Sequence, residues 1–180
     1  MILSANILSL LSDQYSHETA NSLFYHALQS WAEMRGLDGT AAFMAKQASG
    51  ELDHADKVLA YIHDRNEQLN LGPVTIPASS PAHFRDVFEM AQARERDTTS
   101  AILAIKAQAE IEGDAATCAW LMQTGGLVLE QAEEERVIQS IIDRLNARDG
   151  MVPLDSTETA MASSPGEVIH DIDTWLKANA

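Results

Sequence analysis

Four stretches of this chain repeat apolar residues at the spacing of an α-helix, and near its middle each repeat is broken by a carboxylate. The first reads Leu11, Tyr15, Glu18, Ser22, Tyr25 and the second Met44, Ala48, Glu51, Ala55, Val58, Ile62. The third reads Phe84, Phe88, Ala91, Glu95, Thr98, Ile102, Ile105 and the fourth Leu127, Gln131, Glu134, Ile138, Ile141, Leu145. Residues three and four apart share a helix face, so each stripe has to be buried against another. Four such faces packed together make a bundle whose polar interruptions converge on one level. Aromatic and β-branched residues are sparse and no short alternating runs recur, which predicts an all-α fold.

Punctuation divides the chain. The first helix is predicted from Ser4 as N-cap to Met34-Arg35, stopped by Gly36, with Leu37-Asp38-Gly39 as the turn. The second follows Asp38 and reaches about Asn66. Leu69 to Ser80, with Gly72-Pro73 and Pro77, has no helical period and is long enough to cross from one end of the bundle to the other. The second and third helices are then parallel. Ser80-Pro81 starts the third helix, Gly113 ends it, and Asp114 is ready to cap a fourth that ends near Arg148. Residues 1–148 thus form one bundle and residues 149–163 a polar linker. Ser164-Pro165-Gly166-Glu167 has the form of a capping box and opens a short fifth helix within residues 164–180, through Trp175-Leu176.

Charge narrows the partners. The net charge of −15, with twelve Lys plus Arg, argues against nucleic acid, whose phosphates need a concentrated basic surface, and favours cations. The apolar opening, Leu3 to Leu11, has no Lys or Arg before Arg35 and is interrupted by Asp13, so it reads as an amphipathic helix and not a signal peptide. No run approaches membrane-spanning length. The single cysteine, Cys118, reads as a small core residue and suits a reducing compartment, which predicts a cytoplasmic protein.

Glu51 and His54 stand three apart on the core stripe of the second helix. A buried carboxylate without compensation costs several kcal/mol or takes up a proton, and the other helices are expected to supply no Lys or Arg as its partner. Glu18, Glu51, Glu95 and Glu134 carry four negative charges, with His54 and Gln131 neutral, and two divalent cations cancel them. Hard carboxylates with one imidazole and no thiolate suit iron, with manganese and zinc as imitators. Tyr25, two turns beyond Glu18, is placed to hydrogen-bond a ligating carboxylate, to supply an electron, or simply to fill the core. Glu130 and Glu133 flank Glu134 and read either as a third cation site or as a solvated acidic run. Trp31, Trp120 and Trp175 are assigned to packing, and His17, His26 and His63 to the surface or the edge of the site.

On these residues the chain resembles the non-haem ferritins over nearly its whole length: Glu18 with Tyr25 in His17-Glu-Thr-Ala-Asn-Ser-Leu-Phe-Tyr25, Ser30-Trp31, Leu37-Asp38-Gly39, Glu51-x-x-His54, Glu95, and Glu130-Gln131-x-Glu133-Glu134. The resemblance implies a ferroxidase centre with Glu18, Glu51 and His54 on the first iron, Glu51 bridging, Glu95 and Glu134 on the second, and Gln131 orienting oxygen or water. It implies Fe(II) oxidised by O2 or peroxide, and ferric mineral stored in a homo-oligomeric shell of twenty-four subunits with the fifth helix toward an inter-subunit axis. Two departures bear on ligands. Gly50 stands where bacterial ferritins often carry a glutamate of a third iron site, so that site is weakened or absent. Leu52 replaces the haem-ligating methionine of bacterioferritins, and Gln131-x-x-Glu134 replaces their second Glu-x-x-His, so no haem is expected. The stretch from Glu95 to Gln131 is about a turn longer than the family pattern and includes Gly125-Gly126. It predicts an enlarged connection before the fourth helix, or else a bulge in that helix. Two other functions fit the same helical class: a different di-iron oxygenase or peroxide reductase, and a protective cage like the mini-ferritins.

Overall fold

Ser4 caps the first helix, its Oγ accepting from the Ile7 amide at 3.1 Å. The computed structural model describes residues 2–149 and 165–179. These residues form α1 (Ala5–Glu33), α2 (Asp38–Asp64), α3 (Phe84–Glu112), α4 (Ala115–Met122), α5 (Leu127–Asp149) and α6 (Pro165–Asn179), with no strand among them. The fold is an all-α bundle. Of the linker expected at 149–163, Asp149 belongs to α5, and residues 150–163, with the capping residue Ser164, lie outside the described residues.

Hydrogen bonds fix the helix directions. Just past the end of α2, the Asn70 amide bonds Ser12 Oγ near the start of α1, at 3.2 Å. Just before α3, the Pro81 carbonyl accepts from Trp31 Nε1 near the end of α1, at 2.8 Å. The segment between therefore travels the length of α1, and α2 and α3 run parallel. Trp31 does more than pack, since it anchors the arrival of this crossover.

The helix that carries the fourth stripe does not begin at Asp114, and of the two expectations for the longer stretch the enlarged connection holds. Asp114 caps α4, accepting from Thr117 N at 3.1 Å, but the helix stops at Met122 and the stripe restarts at Leu127. Two glycines make the break. Gly125 has φ +75°, and a Cβ on Gly126 would lie 2.7 Å from the Leu121 carbonyl. The extra length is thus spent in a connection with its own short helix, ahead of the turns that carry Gln131 and Glu134. The α4 segment is tied down by Arg65, whose guanidinium reaches both Asp114 oxygens at 3.2 and 2.8 Å. Trp120 also stacks on Tyr61, with centroids 4.0 Å apart. Cys118 is half-buried here and not a core residue.

Helix α2 has no side-chain cap of its own at Leu37. Asp173 of α6 supplies one from across the chain, accepting from Gly39 N at 3.1 Å and from Thr40 N and Oγ1 at 2.7 Å each. Gly39 permits the approach, because a Cβ there would overlap the Asp173 carbonyl at 1.9 Å. Beneath α6, Val168, Ile172 and Leu176 join a core with Phe24, Leu28, Phe43, Phe88 and Ile141. A second core, with Ile7, Leu11, Val58, Ile62, Ile105 and Leu127, fills the opposite end. Between the two lies a buried polar layer. No helix among the described residues is long and apolar enough to cross a membrane.

Candidate metal centre

The polar layer is built from the interruptions of the four stripes. Glu18, Glu51, His54, Glu95 and Gln131 are buried, and Glu134 stands at the edge of the layer with its side chain 24% exposed. One candidate ligand atom from each of Glu18, Glu51 and His54 lies within 4.8 Å of the other two. Helix α1 delivers the first, and the i, i+3 spacing on α2 delivers the other two from one face. His54 faces acid with both ring nitrogens: Nδ1 is 3.9 Å from Glu51 Oε2, and Nε2 lies 3.4 Å from Glu130 and 3.6 Å from Glu134.

Glu95 is held differently. The Tyr25 hydroxyl donates to one of its oxygens and the Gln131 amide to the other. Tyr25 therefore takes the first of its predicted roles, bonding a candidate ligand, while Gln131 acts as a donor to Glu95. The second half of the expected ligand set, Glu95 with Glu134, does not close into one cluster with the first three among the described residues.

Several donor atoms at the centre are buried and without a hydrogen-bond partner: Glu51 Oε2, His54 Nδ1 and Glu134 Oε2. Such atoms are costly unless something else occupies their lone pairs. Burial, together with neighbouring carboxylates, shifts the acids. Burial first and then the charge of Glu51 hold Glu18 well above the ordinary carboxylate range. Burial and the charge of Glu95 push Glu51 up to about 8. Burial also takes Glu134 to about 8, although His54 opposes it. Glu95 is raised by burial and restrained by its bonds from Tyr25 and Gln131. Each shift describes a carboxylate lacking positive charge, and a divalent cation among these oxygens and the free imidazole nitrogen would supply it. The donor set of hard oxygens with one imidazole fits iron.

The flanking acids are less available. Glu130 makes an ion pair with Lys57, and Glu133 is exposed and gripped by Arg136 at 2.5 and 2.8 Å. Both acids, with Gly50, Asp53 and Lys57, line a cavity of about 320 Å³ directly outside His54. The expectation that no basic residue serves the site holds for the stripes alone. Lys57 reaches Glu130 from the flank of α2, and the charge of Arg94 acts on Glu95 from α3.

Three further groups beside Glu18, namely Gln14, Asn21 and Arg94, are not marked by the stripes. Gln14 donates to Glu18 Oε1 at 2.7 Å, and Asn21 donates to Glu18 Oε2 at 3.5 Å and to Thr98 Oγ1 at 3.0 Å. Arg94 in turn bonds Asn21. Amides at i−4 and i+3 around a buried glutamate are a readable signal, because they share its face. His17 lies half-buried beside Arg94, and burial and then that guanidinium lower its pKa to about 4, against an opposing pull from Asp97. His26 and His63 are exposed.

Comparison with known proteins bears on this geometry. Residues 8–146 match the model of the ferritin-like domain. A probable bacterial non-haem ferritin-like protein of Haemophilus influenzae is 30% identical over 145 residues, covering 81% of this chain and 86% of the relative. A bacterial non-haem ferritin of Campylobacter jejuni is 30% identical over 144 residues, covering 80% and 84%. Among solved structures, an open pore ferritin from the archaeon Archaeoglobus fulgidus superposes with a TM-score of 0.83 at 24% identity, covering 97% of this chain and 96% of that one.

Proposed function

The chain belongs to the ferritin-like family, and on that premise we propose that it is an iron-storage ferritin that oxidises Fe(II) at the buried polar layer and keeps the ferric product inside a homo-oligomeric cage in the cytoplasm. One observation carries the proposal: Glu18, Glu51 and His54 meet in a buried cluster whose Glu51 Oε2 and His54 Nδ1 have no hydrogen-bond partner. The twenty-four-subunit shell rests on the family and on the likeness of the fold to solved ferritins.

Two Fe(II) are the substrates. Glu18 and His54 hold the first, Glu51 lies between the two, and Glu95 and Glu134 hold the second, so four carboxylates offset four positive charges in a dry interior. The Tyr25 hydroxyl and the Gln131 amide keep Glu95 oriented through their bonds to its two oxygens. Two electrons from two Fe(II), with two protons, reduce O2 to H2O2. Where H2O2 is the oxidant instead, two electrons and two protons reduce it to two waters. Either way two positive charges are added, and hydroxide from water offsets them as the ferric product leaves. The net charge of −15 raises the local concentration of Fe(II) around the protein.

Light scattering on size-separated protein, before and after aerobic loading with Fe(II), tests the reading. A large shell that retains iron as it elutes supports it, and a small oligomer that turns over peroxide or an organic substrate without retaining iron refutes it.

A further inference from the structure

The buried layer continues sideways from Glu18 into a set of polar residues that the proposed chemistry does not use. Asn21 Oδ1 accepts from Arg94 twice, from Nε at 3.0 Å and from Nη2 at 2.5 Å. The Asn21 amide nitrogen faces the other way, toward Thr98 Oγ1 at 3.0 Å and Glu18 Oε2 at 3.5 Å. His17 Nε2 takes a further bond from Arg94 Nη2 at 2.8 Å and lies 3.0 Å from Thr98 Oγ1, which braces the guanidinium. Asn21 and Thr98 are fully buried, whereas Arg94 and His17 line a groove of about 410 Å³ between α1, α3 and the crossover.

An arginine carries only donors, so the face of Asn21 that meets it has to be the carbonyl. This fixes the amide without ambiguity: its NH2 is presented to Glu18. With the guanidinium gone, only the Thr98 bond still holds the amide this way round, and a side chain that turns over sets its carbonyl against the deprotonated Glu18 that a metal requires, two acceptors with no proton between them. The residues do not form a proton path, because an amide does not exchange protons as a hydroxyl or imidazole does. Their effect is orientation.

We propose that Arg94 is a positioning residue for iron: it locks Asn21 so that the amide holds Glu18 Oε2 while Gln14 holds Oε1, and the carboxylate keeps one setting toward the metal. This rests on the proposed function, since it assigns Glu18 to one of two cations. Groups one step removed from a ligand typically change metal affinity about 10- to 100-fold when lost.

Anaerobic Co(II) titration of the full-length protein, followed by ligand-field absorption, is the test for Arg94→Met, Asn21→Leu and the double variant, with Arg94→Lys as the control that keeps the charge but loses the fork. Each of Arg94→Met and Asn21→Leu is expected to weaken the Co(II) ion held by Glu18 about 10-fold or more and to change its absorption band, and Asn21→Leu, which keeps the Arg94 charge near Glu95, is expected to leave the other ion near the wild-type affinity. The double variant is expected to be no weaker than the weaker single, because both act along one line. Arg94→Lys is expected to resemble Arg94→Met. Wild-type binding in Asn21→Leu, or recovery of wild-type affinity in Arg94→Lys, overturns the role of Arg94, since the effect is then one of charge. Should one single variant fail to fold, an unaffected titration in the other has the same force. A wild-type protein that binds no Co(II) removes the proposed function itself, which separates the two failures.

Discussion

The Lys57 ammonium lies on Glu130, whose carboxylate is 3.4 Å from His54 Nε2. A side chain of this protein thus supplies positive charge at the mouth of the centre, next to Gly50, where the related pattern has a further acid. Two divalent cations per subunit, and not three, are expected in anaerobic titration with Zn(II). A Cβ at Gly50 has room, its nearest neighbour being Glu134 Oε1 at 4.0 Å. The pair Gly50→Glu with Lys57→Gln is therefore expected to gain a third ion, and a count of two in that variant sinks this explanation of the site.

The buried acids predict how the metal-free protein responds to pH. Glu51 and Glu134 titrate near 8 in the fold against about 4.5 when unfolded. A raised carboxylate pKa means the folded state binds more protons between those limits, so stability is greatest below about 4.5 and is lost as pH rises to about 8. Thermal melting of metal-free protein should show the midpoint falling from pH 5 to pH 8, and Glu51→Gln should flatten the fall. Zn(II) should raise the midpoint most at the upper end, where its ligands are easiest to deprotonate. A midpoint that climbs with pH in the metal-free protein contradicts this.

Removing the Tyr25 hydroxyl leaves one Glu95 oxygen without its donor in a buried layer. Tyr25→Phe is expected to cost about 1–3 kcal/mol of stability in the metal-free protein and to slow Fe(II) oxidation several-fold. Denaturant unfolding and stopped-flow absorbance measure the two effects separately. An unchanged rate would confine the Tyr25 hydroxyl to a part in stability.

Asp173→Ala removes the cap that α6 gives α2 and should destabilise the protein by about 1–2 kcal/mol. Gly39→Ala should cost more, because a Cβ there meets the Asp173 backbone. Guanidinium unfolding of both variants orders the two losses, and equal losses would mean that contact with α6 is not what requires a glycine.

Much of this architecture was legible in the chain. The stripes located Glu18, Glu51, His54, Glu95 and Gln131, because burial follows a helical period and an acid that breaks the period stands out. The crossover was legible from Gly72-Pro73 and Pro77, which no helix interior accepts. The break before α5 was half legible: Gly125-Gly126 marked the place, but Asp114, which caps the short α4, reads equally well as the start of the fourth helix. Lys57 and Arg94 were hidden because each stands off the core stripe and matters only through what an adjacent helix brings to it. The cap from Asp173 was hidden for a simpler reason: its partners are 133 and 134 residues away.

Anaerobic protein loaded with two Fe(II) per subunit and mixed rapidly with O2 tests the central claim most directly, with Glu51→Ala alongside the wild type. The wild type should oxidise both ions in a fast first turnover, and Glu51→Ala should be slower by about two orders of magnitude or more, since it loses a ligand and not merely a neighbour of one. Oxidation in the wild type no faster than in protein-free buffer, or an unchanged rate in Glu51→Ala, would contradict the assignment of Glu18, Glu51 and His54 as the iron-oxidising centre.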